Sequence, residues 1–460
     1  MNGVRAARSS SVSLLVSLWA LTGLSCAVHT VREAPVSPVE PPDRYPSERA
    51  RPDVRSAPAE APWWETLGDP ALGGLIQAAF ADNLTLAEAA ARVRRSRAAA
   101  DRVGAARLPE VGAQLDGGLE DPGDRSYLAA GVVSWEVDLF SRLGAQSRAA
   151  AFDAMAAQHD LAAARVSVSA EVADAYFIGL EQRLQLRLLG EQAELAQALL
   201  ELTELRFATG TASAVDVLQQ RAQLADVSAR EPPARATLRA SEDRLDVLLG
   251  RPADGTDRIA AEHYPTLPAL GPVGVPADLL IRRPDLRAQR DRLVAFDHRI
   301  GAAIADRLPR ITLTGAYGYG SVDGGGGGVF ASLLGSLFQP LWDWGGRRAA
   351  VEESRAAYEE ALAVFTRSYL EALAEVDGIL FSEAQRREEI VLVEQQVTAL
   401  RAAVDEARNR YVNGLSDYLP VLTAVTELQE AERNLLTFRR QLIALRITLH
   451  RALGGPLESS

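Results

Sequence analysis

The chain is written twice. Arg107-Leu108-Pro109 returns as Arg307-Leu308-Pro309, and Leu86 and Arg92 return as Leu286 and Arg292 at the same offset. A slightly larger offset pairs Arg206-Phe207-Ala208-Thr209-Gly210 with Arg410-Tyr411-Val412-Asn413-Gly414, Val217-Leu218 with Val421-Leu422, and Leu249-Gly250 with Leu453-Gly454. Each half therefore carries the same order: helix, two short alternating stretches, long helix, tight turn, long helix. A repeat of that size restricts the fold more than any single motif does.

The alternating stretches are the most informative part of the unit. From Val111 to Glu120 odd positions are apolar and even ones polar or glycine, and Tyr127 to Val137 repeats that odd face with Ala129, Val133 and Trp135. In the second half Ile311, Leu313, Tyr317 and Tyr319 alternate with Thr312, Thr314, Gly318 and Gly320, and Val329 to Leu341 keeps the register. Period two marks strands with one apolar face, and short connections around Pro122-Gly123 and the glycines ending at Gly328 make each pair a hairpin. Two readings are open: a soluble sheet covering a core, or membrane strands with odd residues in lipid and even ones on water. Lipid offers no hydrogen bonds to a sheet edge, so the second reading requires closure, and four strands cannot close alone. Several chains would have to share one barrel.

The helical stretches are unusually long. No proline falls between Pro122 and Pro232, or between Pro340 and Pro420. A helix from Ser141 to Arg206 extends roughly 100 Å at about 1.5 Å per residue. Ile390, Val393, Val397, Leu400, Val404, Ala407 and Tyr411 step by three and four, which is coiled-coil spacing. Glycines 210 and 414 turn the long helices back, so two antiparallel helical hairpins are expected per chain, and Pro232-Pro233 should break the first return helix. A rod-like coiled coil without a pore, an adaptor or structural lipoprotein of the periplasm, fits the helices alone. Direct continuation of each strand hairpin into a long helix favours a tube.

Composition narrows the function. With 49 basic and 61 acidic side chains the formal charge is −12, so no global basic surface suits nucleic acid. The five histidines are scattered without ligand spacing, no metal site is expected, and no nucleophile–base pair indicates catalysis or a cofactor. The glycine run before Val329 lacks the Gly-Lys-Ser/Thr of a phosphate loop. Residues 1–25 read as an export signal peptide, with Arg5 and Arg8 ahead of an apolar run from Val12 to Leu24. Cys26, the one cysteine, stands where a lipoprotein signal places its acylated, palmitate-bearing residue; a plain secretory signal with an incidental cysteine is the alternative. Residues 26–62 form a proline-rich leader. Residues 63–270 make the first repeat (strands about 109–139, helical hairpin about 141–250) and residues 271–455 the second (strands about 309–342, hairpin about 343–454).

Leu279-Leu280-Ile281-Arg282-Arg283-Pro284-Asp285-Leu286-Arg287 resembles the hallmark segment of the TolC-like outer membrane efflux proteins, in their NodT/OprM-type lipoprotein branch. Trp63-Trp64 with Gly68-Asp69-Pro70, Asn83-Leu84-Thr85-Leu86, Leu308-Pro309-Arg310-Ile311, and Tyr411, Gly414 and Asp417-Tyr418-Leu419 fit the same family, so the likeness runs from about Trp63 to Gly455. The resemblance implies an α+β membrane protein: a homotrimer whose pooled strands form a 12-stranded β-barrel continuous with a 12-helix periplasmic α-barrel. It implies the exit duct of a tripartite pump, docked to a periplasmic adaptor (membrane fusion) protein and an inner-membrane transporter of the resistance-nodulation-division type. The location implied is the outer membrane, lipid-anchored, in contact with its lipid, with a long periplasmic extension.

Site residues follow by the same resemblance. Asp216 and Tyr411 match positions of the periplasmic gate, and Asp417 stands where the prototype has arginine. Pro420 and Thr423 occupy places held by ring-forming aspartates in relatives. Thr209, Gly210, Thr211, Asn413, Gly414 and Leu415 match the adaptor-docking tips. Asp216 also fits an exposed first-turn helix residue, and Tyr411 a coiled-coil seam residue.

Overall fold

The computed structural model describes residues 28–32, 39–40, 42–47, 62–120, 124–270, 273–321 and 327–455. Cys26, most of the leader and most of the glycine run lie outside them. In chain order the elements are α1 (Pro70–Asp82), α2 (Leu84–Ala105), β1 (Glu110–Glu120), β2 (Asp124–Val137), α3 (Arg142–Ala208), α4 (Ala214–Ala229), α5 (Glu231–Leu248), α6 (Leu279–Arg282), α7 (Pro284–Ala305), β3 (Arg310–Ser321), β4 (Gly328–Phe338), α8 (Gly346–Val412) and α9 (Leu419–Ala452). The two long helices, α3 and α8, have 67 residues each. The second strand connection (322–327) is longer than the first (121–123), which accounts for the change of offset within the repeat. The chain divides into two units.

The first unit takes in residues up to Glu40, Ala90–Asp160 and Asp285–Ser368. Its strands form one antiparallel sheet in the order β1-β2-β3-β4, with both outer edges unpaired among the described residues. The register joins odd positions to odd throughout: Leu115 faces Ala129, Ala129 faces Tyr319, and Tyr319 faces Val329. β4 stops at Phe338, short of the alternation read to Leu341, because Pro340 has no N–H for the ladder. After each strand pair a side chain returns to the repeat-related carbonyl before it: Trp135 Nε1 donates to Arg107 O at 3.0 Å, and Gln339 Nε2 to Arg307 O at 3.3 Å. Aspartates then cap the long helices. Asp138 accepts from Leu143 N at 3.0 Å and Gly144 N at 2.6 Å, and Asp343 from Arg347 N at 3.0 Å.

In the same unit the N-terminal third of α3 meets α7 through pairs at heptad spacing. Arg292 bonds Asp160 and Arg299 bonds Asp153, while His159 approaches Asp291 at 3.3 Å and the His298 ring stacks on Phe152 at 5.6 Å. Burial raises the Asp153 pKa against the opposing pull of Arg299 and Arg292. The leader is bonded here too: His29 Nε2 lies 2.7 Å from Asp297 Oδ1, and Arg32 N donates to Asp297 Oδ2 at 2.6 Å.

The second unit comprises Pro41–Ala89, Leu161–Pro284 and Tyr369–Ser460. Its core gathers Trp63, Leu72, Ile76, Tyr176, Leu245 and Ile447 among others. The paired tryptophans act in packing: Trp63 Nε1 donates to Ser169 Oγ at 3.2 Å and its ring stacks on His450 at 5.5 Å. Asp69 caps α1 and accepts from Tyr176 Oη at 2.8 Å. Tyr45 of the leader is buried and Ser47 N donates to Asp377 Oδ1 at 2.8 Å. Arg283 anchors the start of the second repeat through Glu375 (2.9 Å) and Ala452 O (3.1 Å).

Two antiparallel helical hairpins complete this unit. Gln220 Nε2 reaches Ala196 O across the first, and Arg401–Glu432 and Arg439–Glu394 span the second at 2.8 Å each. Four turns end in the same bond pair, the second residue past the helix donating six back to one and the glycine five back to two. Thr211 N→Arg206 O, Arg251 N→Asp246 O, Leu415 N→Arg410 O and Gly455 N→His450 O are the longer bonds. The glycines 210, 250, 414 and 454 all have φ near +70°. At Gly250 and Gly454 a side chain is excluded a second time, since a Cβ would lie 2.2 Å from Asp82 O and 2.8 Å from Arg282 O. The first return helix breaks at Arg230, ahead of Pro232, whereas α9 runs unbroken for 34 residues.

Candidate membrane face and hairpin tips

The odd row of the sheet is an exposed apolar surface. Val111, Leu115, Tyr317, Val329, Leu333 and Leu337 are all exposed, Leu115 at 80 %. The even row carries Gln114, Asp116, Ser134, Thr312, Thr314 and Ser332, with Leu128, Val132, Phe330, Leu334 and Phe338 as large apolar exceptions. A soluble sheet would cover its apolar row, and no described element of the chain covers this one. Strand length fits a bilayer: the 11 residues of β1 rise about 36 Å at ~3.3 Å each, or about 26 Å along the normal when tilted ~45°. An outer-membrane barrel has an apolar band of about 25 Å. No described helix is long and apolar enough to cross a membrane.

The far ends of the helical hairpins hold the other candidate residues. Asp216 is committed to its own helix: its Oδ2 accepts from Ser213 N at 2.8 Å while Ser213 Oγ accepts from Asp216 N at 3.2 Å, a reciprocal cap of α4. Tyr411 is 2 % exposed and packs in the seam with Leu199, Val397, Val404, Val421 and Val425. Its ring meets Tyr418 edge-on at 5.6 Å, and its hydroxyl is buried without a hydrogen-bond partner among the described residues. Tyr418 Oη donates to Gln220 Oε1, so the two turns are tied together. Burial, aided by nearby Tyr411 and Asp216, pushes the Tyr418 pKa up.

Asp417 is exposed in the second turn, where its carbonyl accepts from Ser416 Oγ at 3.0 Å. The structure thus brings Tyr411 and Asp216 to one tip around Tyr418 and leaves the Asp417 side chain toward solvent. Thr209, Gly210, Thr211, Asn413, Gly414 and Leu415 are all exposed, beside the exposed apolar side chains of Phe207, Leu218 and Leu419.

Arg206 is the tip residue that sequence reasoning missed. It bonds the Tyr411 carbonyl through Nη1 and places its guanidinium 4.3 Å from the centre of the Tyr411 ring. The signal was its pairing with Arg410 in the repeat, which marks a basic last turn on each long helix but not the neighbour it reaches.

Known proteins with the same pattern are numerous. The family profile described as "Outer membrane efflux protein" matches residues 75–251 and 275–455. The pyoverdine export outer membrane protein OpmQ of Pseudomonas putida is 29% identical over 463 residues, covering 95% of each chain. The solvent efflux pump outer membrane protein SrpC of Pseudomonas putida is 30% identical over 412 residues, covering 85% of this chain and 86% of that one. Among solved structures, the outer-membrane channel OprN superposes with a TM-score of 0.87 at 29% identity, over 94% of this chain and all of that one. The open-state MtrE channel of Neisseria gonorrhoeae shares the fold, with a TM-score of 0.83 at 23% identity over 95% of this chain and 99% of that one.

Proposed function

The chain belongs to the outer membrane efflux protein family, and from that premise we propose that three copies pool their strands into one twelve-stranded barrel that opens into a tunnel of twelve helix strands. The single observation that carries this reading is the sheet: it has an uncovered apolar face and two unpaired edges, and lipid leaves neither edge a partner except another copy. The odd row then faces lipid and the even row water.

As an outer-membrane efflux channel the protein conducts passively. Relatives are named for export of pyoverdine and efflux of solvents and toluene, and small organic molecules of that breadth are the proposed cargo. The exposed tips at Thr209–Thr211 and Asn413–Leu415 are the proposed docking points for a periplasmic adaptor, with a resistance-nodulation-division transporter behind it. Cys26 is the proposed lipid attachment. Asp216 and Asp417 are proposed to line the closed periplasmic end, with Tyr411 packed in the seam against Tyr418, and two aspartates per chain place six carboxylates in a trimer. Like charges so arranged favour a bound cation. Single-channel recording of Asp417→Asn tests the gate: a shift in reversal potential toward lower cation preference supports it, and an unchanged potential with trimers intact removes Asp417 from the pore.

A further inference from the structure

The two hairpins of one chain meet at a contact that the sequence does not advertise. Arg206 lies in the last turn of α3 and reaches over the end of α8. The Tyr411 carbonyl that it bonds also accepts Gly414 N at 3.0 Å, the turn bond that closes α8. Helix C-termini expose carbonyls and carry partial negative charge, so a cation shared by two such ends is well placed. Stacking on the electron-rich Tyr411 face adds to that attraction.

The Tyr411 phenol takes no part in this contact. Its oxygen is buried with no hydrogen-bond partner among the described residues, and so is Arg206 Nε. A buried polar atom left unpaired destabilises the packing around it. The contact between hairpins therefore runs through a ring face and a main-chain carbonyl. A phenolic clasp is absent from it. Tyr418 Oη to Gln220 Oε1 makes the second link, with Gln220 Nε2 held by Ala196 O at 2.7 Å.

We infer that Arg206 is the positioning residue that holds the two hairpin tips of a protomer together, and that the unpaired Tyr411 hydroxyl works against the closed packing. Separation of the tips must break the Arg206 contact, which among the described residues is the one charged link between the ends of α3 and α8. Solvation of the freed phenol and of Arg206 Nε then favours the parted state. The inference rests on the proposal that the tips close the tunnel.

Full-length trimers in planar lipid bilayers provide the test, with trimer content checked on gels without heating. Arg206→Met keeps the stem and removes the charge; a rise of about tenfold in the ratio of open to closed time is expected, the size set by one hydrogen bond to a charged group. Tyr411→Phe removes only the unpaired hydroxyl and is expected to lower that ratio below wild type. Tyr411→Ala, which removes the stacking face, should raise it. Unchanged gating in Arg206→Met, or a rise in Tyr411→Phe matching Tyr411→Ala, overturns the inference. Arg206→Gln carries the same two readings if Arg206→Met gives no trimers. Wild-type trimers that pass no current would remove the duct reading itself, which separates the two failures.

Discussion

Arginine placed at neighbouring positions of β1 separates the two faces of the sheet. Leu115 stands at the middle of β1, 80 % exposed, with Ala129 opposite and Tyr319 and Val329 further along its row. Gln114 is one residue away on the other face, in a row with Ala130 and Gly318. Arginine on the lipid face costs about 2–4 kcal/mol near the bilayer midplane. Three copies share one barrel, so Leu115→Arg costs about 6–12 kcal/mol per trimer if the sites are independent. A penalty of that size exceeds much of the stability of an ordinary domain. Gln114→Arg places the same cation in water and adds only charge to the lumen. The assay is trimer yield after extraction in mild detergent, followed by reversal potential in a salt gradient. Leu115→Arg should lose most of its trimers. Gln114→Arg should keep them and shift selectivity toward anions. Equal yields from the two variants would refute the assignment of faces, and loss of trimers in Gln114→Arg alone would invert it.

Three further outcomes follow from side chains in the second unit and from the proposed lipid attachment at Cys26. Burial, with Arg446 nearby, pushes the His450 pKa down to about 4, so the folded state holds it neutral while the unfolded chain protonates it near 6.5. Its contribution is present above about pH 6.5 and is lost as pH falls towards 4, about 3 kcal/mol in all; His450→Phe should flatten the fall in trimer melting temperature across that window. Arg446 and Glu383 are 3 % and 0 % exposed and paired at 2.7 Å, with Arg387 also on Glu383 at 3.1 Å. Arg446→Met should destabilise by about 3 kcal/mol in urea unfolding, the low end for a broken buried pair because Arg387 remains, and Arg446→Met with Glu383→Gln should recover most of it. Cys26→Ser should remove a diacylglyceryl group seen by mass spectrometry of the mature N-terminus while trimers still form; a free amino terminus at another residue of the wild type would exclude lipidation.

Regular features of the fold were legible because their causes are local. Odd–even alternation fixed which strand residues share a face, and the register joins those faces without a slip from Val111 to Leu337. The glycines at 210 and 414 announce left-handed turns, to which the structure adds their repeat-paired counterparts 250 and 454, and proline-free spans announce helices of 67 residues. The seam from Val393 to Tyr411 packs as its spacing indicated. Partners distant in sequence were not legible. The α3–α7 pairs Arg292–Asp160 and Arg299–Asp153 join residues more than a hundred positions apart, on helices where arginine, glutamate and alanine recur on every face. Along α3 the neighbours change from α7 to α5 to α4, so no single apolar stripe persists to reveal them. The leader showed only its composition. Nothing in that composition indicates that His29 and Ser47 seek Asp297 and Asp377. At the tip, the repeat identified Tyr411 but not the contact from Arg206, since a stacking partner leaves no spacing signal.

Closure of one barrel by several chains is the central claim, and the mass and conductance of the purified full-length protein test it together. Extracted in detergent, the protein should have the protein mass of three mature chains, each the 49.4 kDa of the full sequence less its signal peptide, and at that stoichiometry it should add discrete steps of current to a planar bilayer. A protein that stays in solution without detergent as a single chain and adds no current would contradict the account, because an apolar sheet face and two open strand edges would then exist in water uncovered.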